Sequence, residues 1–251
     1  MTLHGTVALV TGAGRRLGHE IALALAGQGA DLLLHVHTSS GEDSARAITA
    51  LGRQAIILRA DLSQPSGASR LSKEALAVAG HVDVLVNNAG VFFRTLLPVL
   101  TFNAWQKLLC TNLTSPFVLS LFLGRVMQKR GSGKIIQLGD WSGLRPLPGY
   151  LPYCVSKGGL QMLTQALAKV LAPQVQVNVV APGPVLLPEH YDATAENTLK
   201  GYTPLGRIGK TGDVVRTVVF LAGQGRGVTG ATYLVDGGWL ASPPNGGDTS
   251  L

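Results

Sequence analysis

The chain has 251 residues, 46% of them hydrophobic and 14% charged, with a formal net charge of +7. That size suits one large α/β domain, and no apolar run reaches the roughly 18 residues that would span a bilayer. Two cysteines, Cys110 and Cys154, are too few for a disulfide framework or a metal cluster, and the scattered lysines and arginines lack the interleaved aromatics of a nucleic-acid surface.

The opening MTLHGTVALVTG runs straight into a strand, without the basic segment and long apolar stretch of a secretion signal. The thiols therefore read as residues of a reducing cytoplasm. Short β-branched runs follow at 7–10, 31–36, 55–60, 82–86, 134–138, 175–180 and 231–235, each separated by a helical stretch. Their apolar character on both faces is that of strands covered on both sides, as in parallel sheets. Between them Leu160, Leu163, Leu167 and Val170 make one apolar helical stripe. The predicted fold is α/β: a Rossmann-type, doubly wound sheet of about seven parallel strands with helices on both faces. It forms one domain over 1–240, and 241–251 reads as a disordered Pro/Gly-rich tail. Ligands of such sheets bind beyond the carboxyl ends of the strands, and the Pro/Gly-rich stretch 186–210 reads as a flap over that crevice.

After the first strand comes Thr11-Gly12-Ala13-Gly14-Arg15-Arg16-Leu17-Gly18, then a helix. Glycines in a strand-to-helix turn let backbone N–H groups approach a pyrophosphate at the positive end of the helix. The spacing is T-G-x-x-x-G-x-G with Arg16 in place of the middle glycine. At the end of the second strand, where NAD-dependent enzymes carry an acidic residue for the ribose hydroxyl, stands His35-Val36-His37-Thr38-Ser39-Ser40. Neutral donors beside Arg15 and Arg16 suit a 2′-phosphate, which predicts NADP(H). Further on, Tyr153 and Lys157 lie four apart on one helical face, where an ammonium lowers a phenol's pKa and readies it for proton transfer.

With these motifs in order, the chain resembles the short-chain dehydrogenase/reductase family from about residue 5 to 240. The matching residues are Thr11-Gly12 with Gly18, Asp61-Leu62, Asn87-Asn88-Ala89-Gly90, Asn112, Tyr153 with Lys157, and Pro182-Gly183. The resemblance implies that Gly12, Arg15, Arg16, Leu17, His37, Thr38, Ser39, Asp61, Leu62, Asn88, Ala89, Gly90, Pro182, Gly183 and Val185 line the cofactor. Tyr153 and Lys157 join them, Lys157 binding the nicotinamide ribose, while Asn112 holds a water linked to Lys157. A homotetramer is implied on the same basis, and neither nucleic acid nor a membrane is implied as a partner.

Departures from the family pattern bear on the substrate. Thirteen residues before Tyr153 the family has a serine; here stands Asp140, with Ser142 two residues on. An ionised Asp140 would repel the oxyanion formed from a ketone and would favour a substrate with N–H donors beside a C=N bond. Protonated by burial, it would serve as an acid. Asp140, Arg16, the His-x-His segment and Phe92-Phe93 together resemble the pteridine reductase branch. That resemblance makes Phe92 a stacking residue and Asp140, Tyr153 and Lys157 the proton-handling set. The family's nicotinamide-binding threonine is replaced by Leu187, and Arg94, Trp141 and Tyr191 fall within reach of the cavity. The leading expectation is thus a pterin-like (C=N) reductase. The rivals are a carbonyl reductase such as a 3-oxoacyl-thioester ketoreductase, using Ser142 or protonated Asp140, and a catalytically idle NADPH sensor.

Overall fold

The computed structural model describes residues 3–185, 197 and 199–242. Every predicted strand forms: β1 (Val7–Thr11), β2 (Asp31–Val36), β3 (Ala55–Arg59), β4 (Val84–Asn87), β5 (Gly133–Leu138), β6 (Val175–Pro182) and β7 (Thr232–Val235). They make one parallel sheet in the order β3-β2-β1-β4-β5-β6-β7. The strand order reverses between β1 and β4, so their carboxyl ends, Thr11 and Asn87, border the crevice where such sheets take ligands.

Helices cover both faces because the strands are apolar on both. One side carries α1 (Arg16–Gly27), α2 (Glu42–Ala50) and α7 (Thr211–Gly223), packing Ile21, Leu25, Ile48, Val218 and Leu221 onto Val10, Leu34 and Val86. The other carries α3 (Pro65–Ala79), α5 (Ser115–Arg130) and α6 (Leu151–Leu171), packing Leu71, Leu119, Leu123 and Leu167 onto Leu9, Leu85 and Ile135. Fully burying each such side chain contributes about 1.5–3 kcal/mol. The sheet is therefore a stiff platform under its loops.

Helix α4 (Phe102–Leu109) continues into α5 through a π-helical turn at Cys110–Thr114. The merged stretch Phe102–Arg130 is long and apolar enough to cross a membrane by length and composition, although no uninterrupted apolar run in it reaches that length. Half of its apolar window is buried inside the fold, where α5 packs on the sheet through Leu119, Leu123 and Met127.

Residues 186–196 and 198 of the expected flap, and 243–251 of the expected tail, lie outside the described residues. The described end of the flap stretch is tied in: the N–H of Gly209 donates to Pro184 (3.1 Å) and that of Leu205 to Gly237 (3.2 Å). Order also extends two residues beyond the expected domain boundary, to Ser242. Arg145 donates to the carbonyls of Trp239, Leu240 and Ser242, and the N–H of Ala241 donates to Gly238.

Candidate active site

At the crevice, Thr11 closes β1 against β4. Its Oγ1 accepts from the N–H groups of Asn88 and Ala89, both at 2.9 Å, and the Asn88 amide donates to the Thr11 carbonyl at 2.8 Å. The following turn is built to glycine's dimensions. A Cβ on Gly18 would lie 2.1 Å from the Gly12 carbonyl oxygen, and one on Gly14 would lie 2.2 Å from the Ser39 hydroxyl oxygen. Helix α1 starts beyond this turn with no side chain capping it, so its first N–H groups are available to an anion. Arg15 and Arg16 stand exposed at its mouth and Leu17 is half-buried. Arg16 adopts φ +51°, the left-handed region that suits the glycine the family pattern has there. This cradle fits the pyrophosphate of a dinucleotide.

The two histidines at the end of β2 divide their work. His37 is exposed beside Thr38, with the half-buried Ser39 next, and its Nε2 lies 4.0 Å from Asp61. His35 is buried at 2% exposure, so it cannot meet a 2′-phosphate as a donor. Its Nδ1 accepts from the Gly12 N–H (3.1 Å), and its Nε2 faces the Ala60 carbonyl (3.1 Å). Burial above all lowers its pKa from 6.5 to about 4, with His37 adding a smaller push in the same direction. The ring is thus neutral, with its proton on Nε2 facing Ala60. Sequence reasoning missed this brace, although the uninterrupted apolar run of β2 already placed position 35 inside. Asp61 is held below the usual carboxylate range by hydrogen bonds from Ser63. Leu62, by contrast, is buried in the core.

At the end of β5 the structure brings Asp140 and Tyr153 together. The Tyr153 hydroxyl donates to Asp140 Oδ2 at 3.1 Å, and Asp140 Oδ1 accepts from the Ser142 N–H at 2.8 Å. Lys157 is buried, with Nζ 2.7 Å from the Leu138 carbonyl and 5.7 Å from the Tyr153 ring centroid. The expectation that Lys157 lowers the tyrosine pKa is corrected. Desolvation by burial, then the charge and hydrogen bond of Asp140, push the phenol well above its ordinary range. Burial also lowers the pKa of Lys157, against an opposing pull from Asp140. The Ser142 hydroxyl is buried without a hydrogen-bond partner, two residues from Asp140.

Asn112 sits in the π-helical turn. Its amide accepts from the Val91 N–H (2.8 Å) and donates to the Val91 carbonyl (2.9 Å) and the Ser156 hydroxyl (3.3 Å). Its side chain therefore pins the Asn88-Ala89-Gly90 turn to α6 and is not spent on Lys157. Phe92 is half exposed, stacks on Tyr150 (centroids 4.5 Å, 3° apart) and meets the Tyr153 ring edge-on at 4.8 Å. Tyr150, a partner sequence reasoning did not name, is drawn in because the N–H of Thr95 donates to Gly149 at 2.7 Å. Opposite, a Cβ on Gly183 would press to 2.7 Å of Asp236, so only glycine fits after Pro182, and Val185 is half-buried. Arg94 is exposed near Gly149 and Trp141 packs on Trp239, whereas Leu187 and Tyr191 lie outside the described residues.

The family model described as enoyl-(acyl carrier protein) reductase matches residues 12–240. A 3-oxoacyl-[acyl-carrier-protein] reductase of Synechocystis is 36% identical over 95% of this chain and 98% of its own. A putative short-chain alcohol dehydrogenase from Sinorhizobium meliloti superposes with a TM-score of 0.91 at 32% identity, over 96% of this chain and 99% of that one. A gluconate 5-dehydrogenase from Burkholderia cenocepacia, solved with NADP and tartrate, gives 0.88 at 30% identity over 96% and 98%.

Proposed function

Because the chain belongs to the short-chain dehydrogenase/reductase family, we propose that this oxidoreductase reduces a carbonyl group with NADPH, Tyr153 giving the proton. The observation that carries the reading is the buried Tyr153 hydroxyl, held protonated 3.1 Å from Asp140. With its pKa raised, the phenol carries its proton near neutral pH, the form that the reductive direction requires. When bound, the nicotinamide supplies the hydride. The uncapped start of α1 and the glycine turn accept the pyrophosphate, and Arg15, Arg16 and the carboxylate-free segment 37–40 accept a 2′-phosphate.

The substrate class follows from what Asp140 needs. Once the phenol turns toward the substrate, Asp140 Oδ2 loses its donor, and leaving a charged acceptor unpaired costs about 1–3 kcal/mol or more. A substrate with a hydroxyl beside its carbonyl restores that bond. A simple 3-oxoacyl thioester restores it only if Asp140 carries a proton. We therefore favour a hydroxylated ketone, a choice that the likeness to a gluconate dehydrogenase supports. A second reading, a pterin-like C=N substrate, is favoured by the half-exposed Phe92 ring beside Tyr153, since pterin N–H groups would serve Asp140 equally well. The test is NADPH oxidation with three substrate sets: polyhydroxy ketones, 3-oxoacyl thioesters and dihydropteridines. Fastest turnover of the first, with Tyr153→Phe at least about 100-fold slower at unchanged NADPH affinity, supports the proposal. Fastest turnover of dihydropteridines replaces it with the second reading, and full activity of Tyr153→Phe refutes both.

A further inference from the structure

We infer that Arg59, the last residue of β3, is a positioning residue that sets the preference for a 2′-phosphorylated cofactor. Its guanidinium donates from Nη1 to the Ser39 carbonyl and from Nη2 to the Ser40 carbonyl, each at 2.9 Å. Arg59 lies level with Val36, the final residue of β2, so the strand pairing places the fork beneath the loop that leaves β2. Two carbonyls held by one planar fork fix the orientation of both peptides, which a single-point lysine could not do. One of the two, Ser39, also turns its side chain toward the phosphate cradle: its Oγ lies 2.2 Å from where a Cβ on Gly14 would stand. The loop after β2 and the glycine turn after β1 are thus in contact, and Arg59 locks the first against the second.

Charge points the same way. Among the described residues Arg59 has no carboxylate within ion-pair distance; Asp43 pairs with Arg46, and Asp61 is engaged with Ser63 and His37. Two carbonyl dipoles leave its positive charge largely uncompensated. Exposed Arg15 and Arg16 face the same crevice from the turn after β1. Three arginines, from the turn after β1 and the end of β3, therefore border the mouth of this crevice, beside a loop with no acidic residue between 37 and 41. That field discriminates a 2′-phosphate dianion from a neutral hydroxyl.

The inference rests on the NADPH reading above, and the experiment separates the two. Dissociation constants of the full-length protein are measured for NADPH, NADH, 2′,5′-ADP and 5′-AMP, together with KM and kcat, for wild type, Arg59→Lys and Arg59→Met. Wild type binding NADH as tightly as NADPH would overturn the cofactor reading itself, before any variant is considered. Given a wild-type preference, Arg59→Met is expected to weaken NADPH and 2′,5′-ADP at least tenfold while NADH and 5′-AMP change less than twofold. The loss should sit in KM, with kcat at saturating NADPH within twofold of wild type. Arg59→Lys, keeping charge without the fork, should fall between the two. Equal weakening of both cofactors, with or without a drop in Tm, marks a merely structural role and overturns the inference, as does unchanged NADPH affinity.

Discussion

His35 gives the structure a quantitative acid sensitivity. Its pKa falls from 6.5 to about 4 chiefly because a buried imidazolium loses its hydration, with the nearby His37 pushing the same way. Below pH 6.5 the unfolded chain takes up a proton at this ring, while the folded one resists until about pH 4. The stabilisation is therefore complete above pH 6.5, declines as pH falls, and is gone below about 4. A displacement of about 2.5 pH units at 1.36 kcal/mol each amounts to about 3 kcal/mol in full, of which about 2 kcal/mol is lost by pH 5. In His35→Asn, a carbonyl stands near the place of Nδ1 to receive the Gly12 N–H, and nothing titrates. At pH 7 that variant should be about 1–2 kcal/mol less stable, because the Ala60 carbonyl loses its donor. Urea unfolding of both proteins at pH 7 and pH 5 isolates the effect: wild type should lose about 2 kcal/mol more than the variant between the two. Equal losses would show that His35 takes up its proton at an ordinary pKa and that burial does not hold it neutral.

Two more outcomes follow from the crevice. Arg16→Gly should raise stability by about 1 kcal/mol, since a glycine accepts the left-handed φ of +51° without cost, yet weaken NADPH more than NADH. Thermal unfolding read beside the two dissociation constants checks it, and a loss of stability would refute the claim of strain. Asp140→Asn removes the charge that raises Tyr153, so the phenol pKa should fall. The alkaline limb of kcat/KM for reduction should then appear at lower pH than in wild type. A limb that stays or moves upward would sink the assigned coupling.

The parallel strands were legible from the sequence because burial on both faces writes itself as short uninterrupted apolar runs, and all seven formed where those runs lie. The glycine turn and the Tyr153–Lys157 pair were legible for a similar reason, since each depends on spacing within a single turn or helix. What the ammonium does to the phenol was not. The buried hydroxyl answers to Asp140 and to its own depth, while Lys157 spends its amine on the Leu138 carbonyl, and both facts are set by how β5, α6 and the turn between them pack. His35 and Arg59 are further cases. Each acts on a backbone group more than 15 residues away in the chain, so no local pattern marks it. Sequence by itself determined the elements and the residue types offered at the crevice, because those follow from local periodicity and chain geometry. Only the tertiary structure decided which polar group faces which, because hydrogen bonding and desolvation act across strands that meet only once the sheet has closed.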